Sequence, residues 1–273
     1  MSAATGPWTG ASPGGAPKKT RTLFAYLLQK GEGGAHAEQI GELLWPEEGA
    51  SEKTKRSRLH HTVAMLRKAL GGREAVVRDG DFYRLALPPG SWIDIASFEQ
   101  LCRRGLSLNR HGQHAAALRV YFAAERVCGG DLFADLPLDH VQSDTDDWRL
   151  PKRIWLREMA LKLQHDMAGL LLREGRTGEA LEHALKALAI EPASVAANIV
   201  AMRIFHAQNR VEAVHRQYRQ YRAAAAAMGD GDSEPGEIEA VYAQLCTPRP
   251  ARKSQPGTPL PAPQRKTIAG RIR

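Results

Sequence analysis

Between Ser51 and Gly72 the chain reads SEKTKRSRLHHTVAMLRKALGG, which sets Lys53, Lys55, Arg56, Arg58, Arg67 and Lys68, with His60 and His61, against a single acid, Glu52. Leucine and valine recur through the same stretch at helical spacing. At 100° per residue, Val63, Leu66 and Leu70 fall within about 40° of Leu59, the face that a helix turns to its core. Lys53, Thr54, Ser57, His61 and Lys68 fall on the far side, with His60 and Arg67 on one flank and Arg58 on the other. Hydroxyls, imidazoles and cations gathered on one face are the groups that hydrogen-bond base edges and neutralise phosphates in a major groove. A solvated basic face is the competing reading, and it is common. The neighbouring elements favour the groove.

Upstream, TRTLFAYLLQKG reads as a helix with Leu23, Tyr26 and Leu27 at helical spacing and Gly31 placed to stop it. AHAEQIGELLWP reads as a second helix, apolar at Ile40, Leu43 and Leu44 and ended by Pro46. The basic stretch is the third. Ser51 can cap its N-terminus, Glu52 suits the positive end of its dipole, and Gly71 and Gly72 can close it in the left-handed conformation. The period then changes in AVVRDGDFYRLAL, where Asp79-Gly80 signals a hairpin and Tyr83, Leu85 and Leu87 alternate. Three helices and a hairpin are the parts of a winged helix-turn-helix. Its third helix enters the major groove and its hairpin touches the adjacent backbone.

After PPGSWID the pattern is helical throughout. Met159 to Pro192 has two Ala/Leu-rich helices joined by a polar turn at Gly175–Gly178, the spacing of a tetratricopeptide repeat. Ala160, Leu163, Met167, Leu170 and Leu171 stripe the first helix, and Ala180, Leu181, Ala184, Leu185 and Leu188 the second. QNRVEAVHRQYRQYRAA repeats the turn and second helix downstream, and RHGQHAAALRVYFAAERV is a weaker copy upstream. Three such pairs would stack into a small solenoid.

The net charge of +8 is uneven: residues 1–93 hold 13 Lys+Arg against 9 Asp+Glu, residues 94–246 hold 18 against 21, and residues 247–273 hold 7 against none. The middle of the chain is therefore not a general binder of polyanions. No apolar run is long enough to span a membrane, and the N-terminus lacks the pattern of a secretory signal. Cys102, Cys128 and Cys246 lie far apart in helix-like contexts. They read as buried or half-buried thiols of a reducing compartment, which makes the cytoplasm the expected location.

ELLWPEE, the basic helix ending LRKALGG, FYRLALPP and DIASFEQL, in that order, resemble the N-terminal half of SARP-type bacterial transcriptional activators. The resemblance covers roughly Thr22 to Leu245. It implies a mainly α fold, with an OmpR/PhoB-like winged helix-turn-helix followed by a tetratricopeptide-like bacterial transcriptional activator domain. OmpR-like folds brace the first helix with a small preceding sheet; residues 1–20 are Gly/Pro-rich without a strand pattern, so that N-terminal sheet is expected to be missing. The expected division is a disordered arm at 1–20, a winged helix at 21–93, the repeat domain at 94–246 and a basic disordered tail at 247–273. The resemblance further implies binding to double-stranded promoter DNA and activation through RNA polymerase contact, with no membrane partner; such proteins often bind as homodimers, but the sequence does not fix the stoichiometry. Carried onto this sequence, Lys53, Ser57, Arg58 and His61 would meet base edges or nearby phosphates. Lys55, Arg56, Arg67 and Lys68 would clamp phosphates, and Arg78 and Arg84 would be wing contacts.

Other chemistries fit poorly. His60 and His61 point about 100° apart on a helix, with no carboxylate or cysteine at ligand spacing. GGDLFADLPLDHVQSDTDDW is acidic but lacks the EF-hand spacing, so a solvated loop is expected, with Trp148 and Trp155 anchoring the helix after it. There is no Gly-rich phosphate loop, nucleophile elbow or HExxH, so neither catalysis nor a cofactor or metal is expected. The tail cations from Arg249 to Arg273 either add nonspecific DNA affinity or only solubilise the end. The rival function is a protein-interaction scaffold, whose repeats hold a partner while the front domain supports them.

Overall fold

The computed structural model describes residues 17–46, 51–130, 132–134, 136, 147–229 and 236–247. Most of the expected arm, most of the acidic segment and nearly all of the tail lie outside them. The first helix, α1 (Lys18–Lys30), begins inside the span assigned to the arm, and Gly31 at φ +60° ends it. No strand precedes α1 among the described residues.

Helix α2 (Ala37–Leu44) ends ahead of Pro46, and α3 (Glu52–Ala69) is the basic helix. The Ser51 hydroxyl accepts from the Thr54 backbone N–H at 3.3 Å, and Gly71 turns left-handed so that the Gly72 N–H reaches the Arg67 carbonyl at 3.0 Å. Both ends thus close as their residue types dictate. The hairpin forms from β2 (Val76–Asp79) and β3 (Phe82–Leu85), with Gly80 at φ +58° in its two-residue turn.

The sheet has a third strand that the sequence pattern does not show. Strand β1 (Ala35–His36) pairs antiparallel with β3, Ala35 opposite Tyr83, so the sheet order is β1-β3-β2. Gly34 permits this. It sits at φ +65°, and a Cβ there would lie 2.5 Å from the Tyr83 carbonyl oxygen. The Asp81 carbonyl in the wing turn then accepts the first N–H of α2, from Ala37, at 2.8 Å. Leu23 and Leu27 of α1, Ile40 and Leu44 of α2, and Leu59 and Leu66 of α3 fill the core between these elements, all essentially inaccessible.

The remainder is helical: α4 (Asp94–Arg110), α5 (His114–Val127), α6 (Leu150–Arg173), α7 (Thr177–Ile190), α8 (Val195–Ala207), α9 (Val211–Ala227) and α10 (Glu237–Cys246). They pack as the pairs α4/α5, α6/α7 and α8/α9, with α10 closing against α8 and α9. Each pair turns on one left-handed residue, Gly112, Gly175 and Asn209. The N–H of the next residue reaches back to the last turn, Gln113 to Leu108, Arg176 to Leu171 and Arg210 to Phe205, at 2.9, 3.0 and 2.9 Å. This is the Schellman closure; asparagine serves in the third pair because it tolerates positive φ better than most residues. Helix α6 starts nine residues ahead of the expected Met159, and Pro151 is accommodated in its first turn, where no N–H is needed.

Two expectations about single residues fail. Cys128 is exposed, because it caps the end of α5 and does not face the core. Trp155 is 50% exposed and is not a buried anchor; it lies on the surface, with its indole N–H donating across to Glu99 Oε1 of α4 at 2.9 Å. Cys102 is buried, and burial pushes its thiol up to about 12.

Polar groups inside the repeats give stability a pH dependence. His183 is buried, and its Nδ1–H donates to Gln164 Oε1 at 2.7 Å. Burial lowers its pKa below the ordinary 6.5; Glu125 opposes that shift, Lys186 adds to it, and Glu182 and Glu179 oppose it. Asp166 and Glu125 are held below the usual carboxylate values. Burial alone would raise both, but hydrogen bonds and charge from His165, Lys162 and Tyr121, and from Lys186, Gln164 and His183, outweigh it. All three groups bind protons more readily in the unfolded chain. Stability is therefore complete above the unfolded imidazole value and falls as pH drops through it towards the carboxylate range. Thermal unfolding followed from about pH 7.5 to about 5.5 should show a falling midpoint, with a shallower fall in His183→Asn. Identical slopes would remove His183 as a cause.

Candidate nucleic-acid interface

Helix α3 is fixed on three sides, which leaves one side open. Leu59, Thr62, Val63 and Leu66 are buried against α1 and α2. Lys55 is half-buried, its stem lying along α2, where a Cβ at Gly41 would come 3.9 Å from its Cδ. On the opposite flank the hairpin docks. Arg67 donates from Nε and Nη2 to the Val76 carbonyl at 3.0 and 2.6 Å. Arg78 lies beside His60, its Nη1 3.5 Å from the ring Nε2, with its guanidinium 5.7 Å over the Tyr83 ring. Arg56 faces Asp81 at 3.8 Å.

The open side carries Lys53, Thr54, Ser57, His61, Ala64 and Lys68, all exposed. This is the face the helical wheel singled out, with Ala64 in its middle. Alanine bears no polar group, so residue type alone does not mark Ala64. On the wheel it falls between Lys53 and Ser57, so its angle was the available signal. A methyl-sized side chain between polar ones lets a duplex approach closely and can meet a thymine methyl.

The ten residues singled out in the sequence do not share one face. Lys53, Ser57, His61 and Lys68 stand together on the open side, and Arg58 is exposed on its α2-side flank. Arg56 and Lys55 sit on opposite shoulders of the helix. Arg67 is turned away from the open side and spends two N–H groups on a backbone carbonyl, so it ties α3 to β2. Arg84 is exposed on β3, where it pairs across the ladder with Val77. Arg78 folds back onto the wing turn, donating from Nε to the Gly80 carbonyl at 2.7 Å and from Nη2 to Asp81 Oδ1 at 3.4 Å. The wing turn is acidic at Asp79 and Asp81, and Arg56 and Arg78 partly neutralise it. Such exposed pairs are worth little in stability and exchange readily for a phosphate.

Among the described residues no cluster of His, Cys, Asp or Glu could hold a metal ion, and no helix is long and apolar enough to cross a membrane.

Comparison with known proteins adds the following. The family model described as the bacterial transcriptional activator domain matches residues 93–244. The structure of Mycobacterium tuberculosis EmbR in complex with a low-affinity phosphopeptide is similar at a TM-score of 0.69 and 20% identity, over 84% of this chain and 59% of that one. At that identity the likeness is one of fold, and the chain spans about three-fifths of the EmbR chain's length. A weaker likeness, at a TM-score of 0.41 and 15% identity, is to the C-terminal TPR-containing domain of a Plasmodium falciparum FK506-binding protein, over 56% of this chain and 91% of that one. No curated protein sequence matches.

Proposed function

The chain belongs to the bacterial transcriptional activator domain family, as a SARP-type regulator with a winged helix ahead of helical repeats, and from that membership we propose that it binds promoter DNA sequence-specifically through α3. In this reading residues 21–93 are the DNA-binding unit, and residues 94–246 are the activator unit through which RNA polymerase is engaged. One observation carries the DNA reading: the open stripe of α3. Core, α2 and hairpin take up the other three sides of the helix, so its lysines, hydroxyls and imidazole stand on one accessible face. A merely solvated helix has no need for its neighbours to leave such a face bare.

Lys53 and Lys68 contact phosphates at the two ends of the stripe, and Ser57, His61 and Ala64 lie over base edges between them. Arg58 reaches a base edge from its flank. Lys55 and Arg56 are further phosphate ligands at the shoulders, with Arg84 on the hairpin; Arg78 joins them once it leaves Asp81. Arg67 acts by holding the hairpin. The test is retention on duplex DNA from the chain's own upstream region, measured across salt. Affinity should fall linearly in a log–log plot with a slope of about −4 to −6, and a preference over random duplex should survive at moderate salt. Arg58→Ala should weaken specific binding by on the order of 1–3 kcal/mol. No retention at low salt, with capture of a protein partner by the repeats, would favour the scaffold.

A further inference from the structure

Helix α1 is buried almost all the way round, and its two sides face different units. Leu23 and Leu27 pack towards α3. Thr22, Ala25 and Gln29 lie about 160–260° round the helix from those leucines. Thr22 and Ala25 are nonetheless buried. A helix buried on opposite sides needs a second layer. Here the layer comes from the connector between α5 and α6, on the repeat side of the molecule. Ala25 packs with Leu136, and Phe133 and Trp148 close over them. The Trp148 ring meets Tyr26 edge to face at 5.3 Å, and its carbonyl accepts from Gln29 Nε2 at 2.6 Å.

The described residues at the two ends of the connector are tied to one another. Arg149, only 5% exposed, donates from Nε and Nη2 to the two carboxylate oxygens of Asp147 at 3.1 and 3.2 Å, and from Nη1 to the Phe133 carbonyl at 3.4 Å. Asp147 also accepts the Arg149 backbone N–H at 2.9 Å and faces Arg153 at 3.8 Å. Phe133 stands at φ +52°, a conformation that bulky residues hold only when their surroundings over-determine it. The next residue after Arg149 is Leu150, the start of α6, whose Leu163, Met167 and Leu171 sit in the repeat core.

We propose that Trp148, with Leu136 and Gln29, is a positioning residue for DNA recognition: it holds α1 from the repeat side, and α1 holds α3. The proposal rests on the reading of α3 as the DNA-contacting helix. A ligand that moves the start of α6 then shifts α3, and duplex bound at α3 stiffens the connector, because such coupling runs equally in both directions.

The test uses the full chain. Amide hydrogen exchange is followed in α1, α3, the connector and α8–α9, with and without duplex DNA, for wild type, Trp148→Ala and Trp148→Phe. Trp148→Ala should speed exchange in α1 and α3 about tenfold, leave α8–α9 unchanged, and weaken duplex affinity about tenfold with an unaltered salt slope. The unaltered slope separates positioning from a lost phosphate contact. Trp148→Phe should recover most of both, and duplex should slow exchange at Trp148–Arg149 in wild type. Gln29→Ala, which removes one hydrogen bond, should show the same pattern more weakly if Trp148→Ala fails to fold. Unchanged exchange in α3 of a folded Trp148→Ala, or of Gln29→Ala in its place, would overturn the proposal. A wild type that ignores duplex DNA would overturn the DNA reading, and with it the role in recognition, while α3 exchange would still report whether the brace exists.

Discussion

Lys53→Glu is expected to abolish retention on promoter duplex at moderate salt, with a loss of affinity on the order of a hundredfold. Lys53 lies on the open side of α3, exposed, in its first turn. The substitution removes one phosphate neutralisation and sets an anion against the backbone in its place, so attraction becomes repulsion at one end of the stripe. The fold should not suffer, because an acid in the first turn of a helix is favoured by the dipole, as Glu52 already is. Circular dichroism and the thermal midpoint should therefore match wild type, which makes the loss of binding interpretable. A salt slope shallower by about one unit in Lys53→Ala would complete the assignment. Undiminished retention of Lys53→Glu would take α3 out of the interface.

Gly105→Ala should lower stability by on the order of 2 kcal/mol and the thermal midpoint by roughly 4–8 °C. The glycine sits in the middle of α4, where alanine would ordinarily gain about 1 kcal/mol in helix propensity. Packing outweighs that gain. An added Cβ would lie 2.3 Å from Cε1 and 2.4 Å from Cδ1 of Tyr121 on α5. The tyrosine cannot swing aside cheaply: it is 2% exposed, and its hydroxyl donates to Asp166 Oδ2 on α6 at 3.0 Å. Asp166 in turn faces Lys162 at 3.3 Å and His165 at 3.2 Å. Moving the ring leaves a buried carboxylate short of a donor; keeping it forces α4 away from α5. A variant as stable as wild type in thermal and urea unfolding would show that the pair has slack.

The basic helix α3 was legible because everything that defines it is local. Its leucine period, its serine cap and its closing glycines all lie between Ser51 and Gly72. The hairpin and the repeat turns were legible for the same reason. What escaped was decided by residues far apart in sequence. Ala35 and His36 read as the start of a helix, and only pairing with Tyr83 and Phe82 makes them a strand. Arg67 reads as one more cation of a basic helix until the Val76 carbonyl is found beside it. Trp148 reads as an anchor for the helix that follows it, yet it packs on α1, more than a hundred positions earlier. A propensity or a wheel angle carries no information about such partners. Ala64 is hidden for another reason: alanine carries no group that does chemistry, yet a face that is to be approached closely also needs side chains that stay out of the way.

The open stripe also behaves as a ruler. Lys53 and Lys68 stand at its two ends, about 22 Å apart along the axis at 1.5 Å per residue. A major groove is about 12 Å across. A helix lying in it would hold one lysine against each sugar-phosphate wall, with Ser57, His61 and Ala64 suspended over the floor between them. The spacing of two charges would then set how obliquely the helix crosses the groove, and so how many consecutive base pairs one subunit is able to inspect.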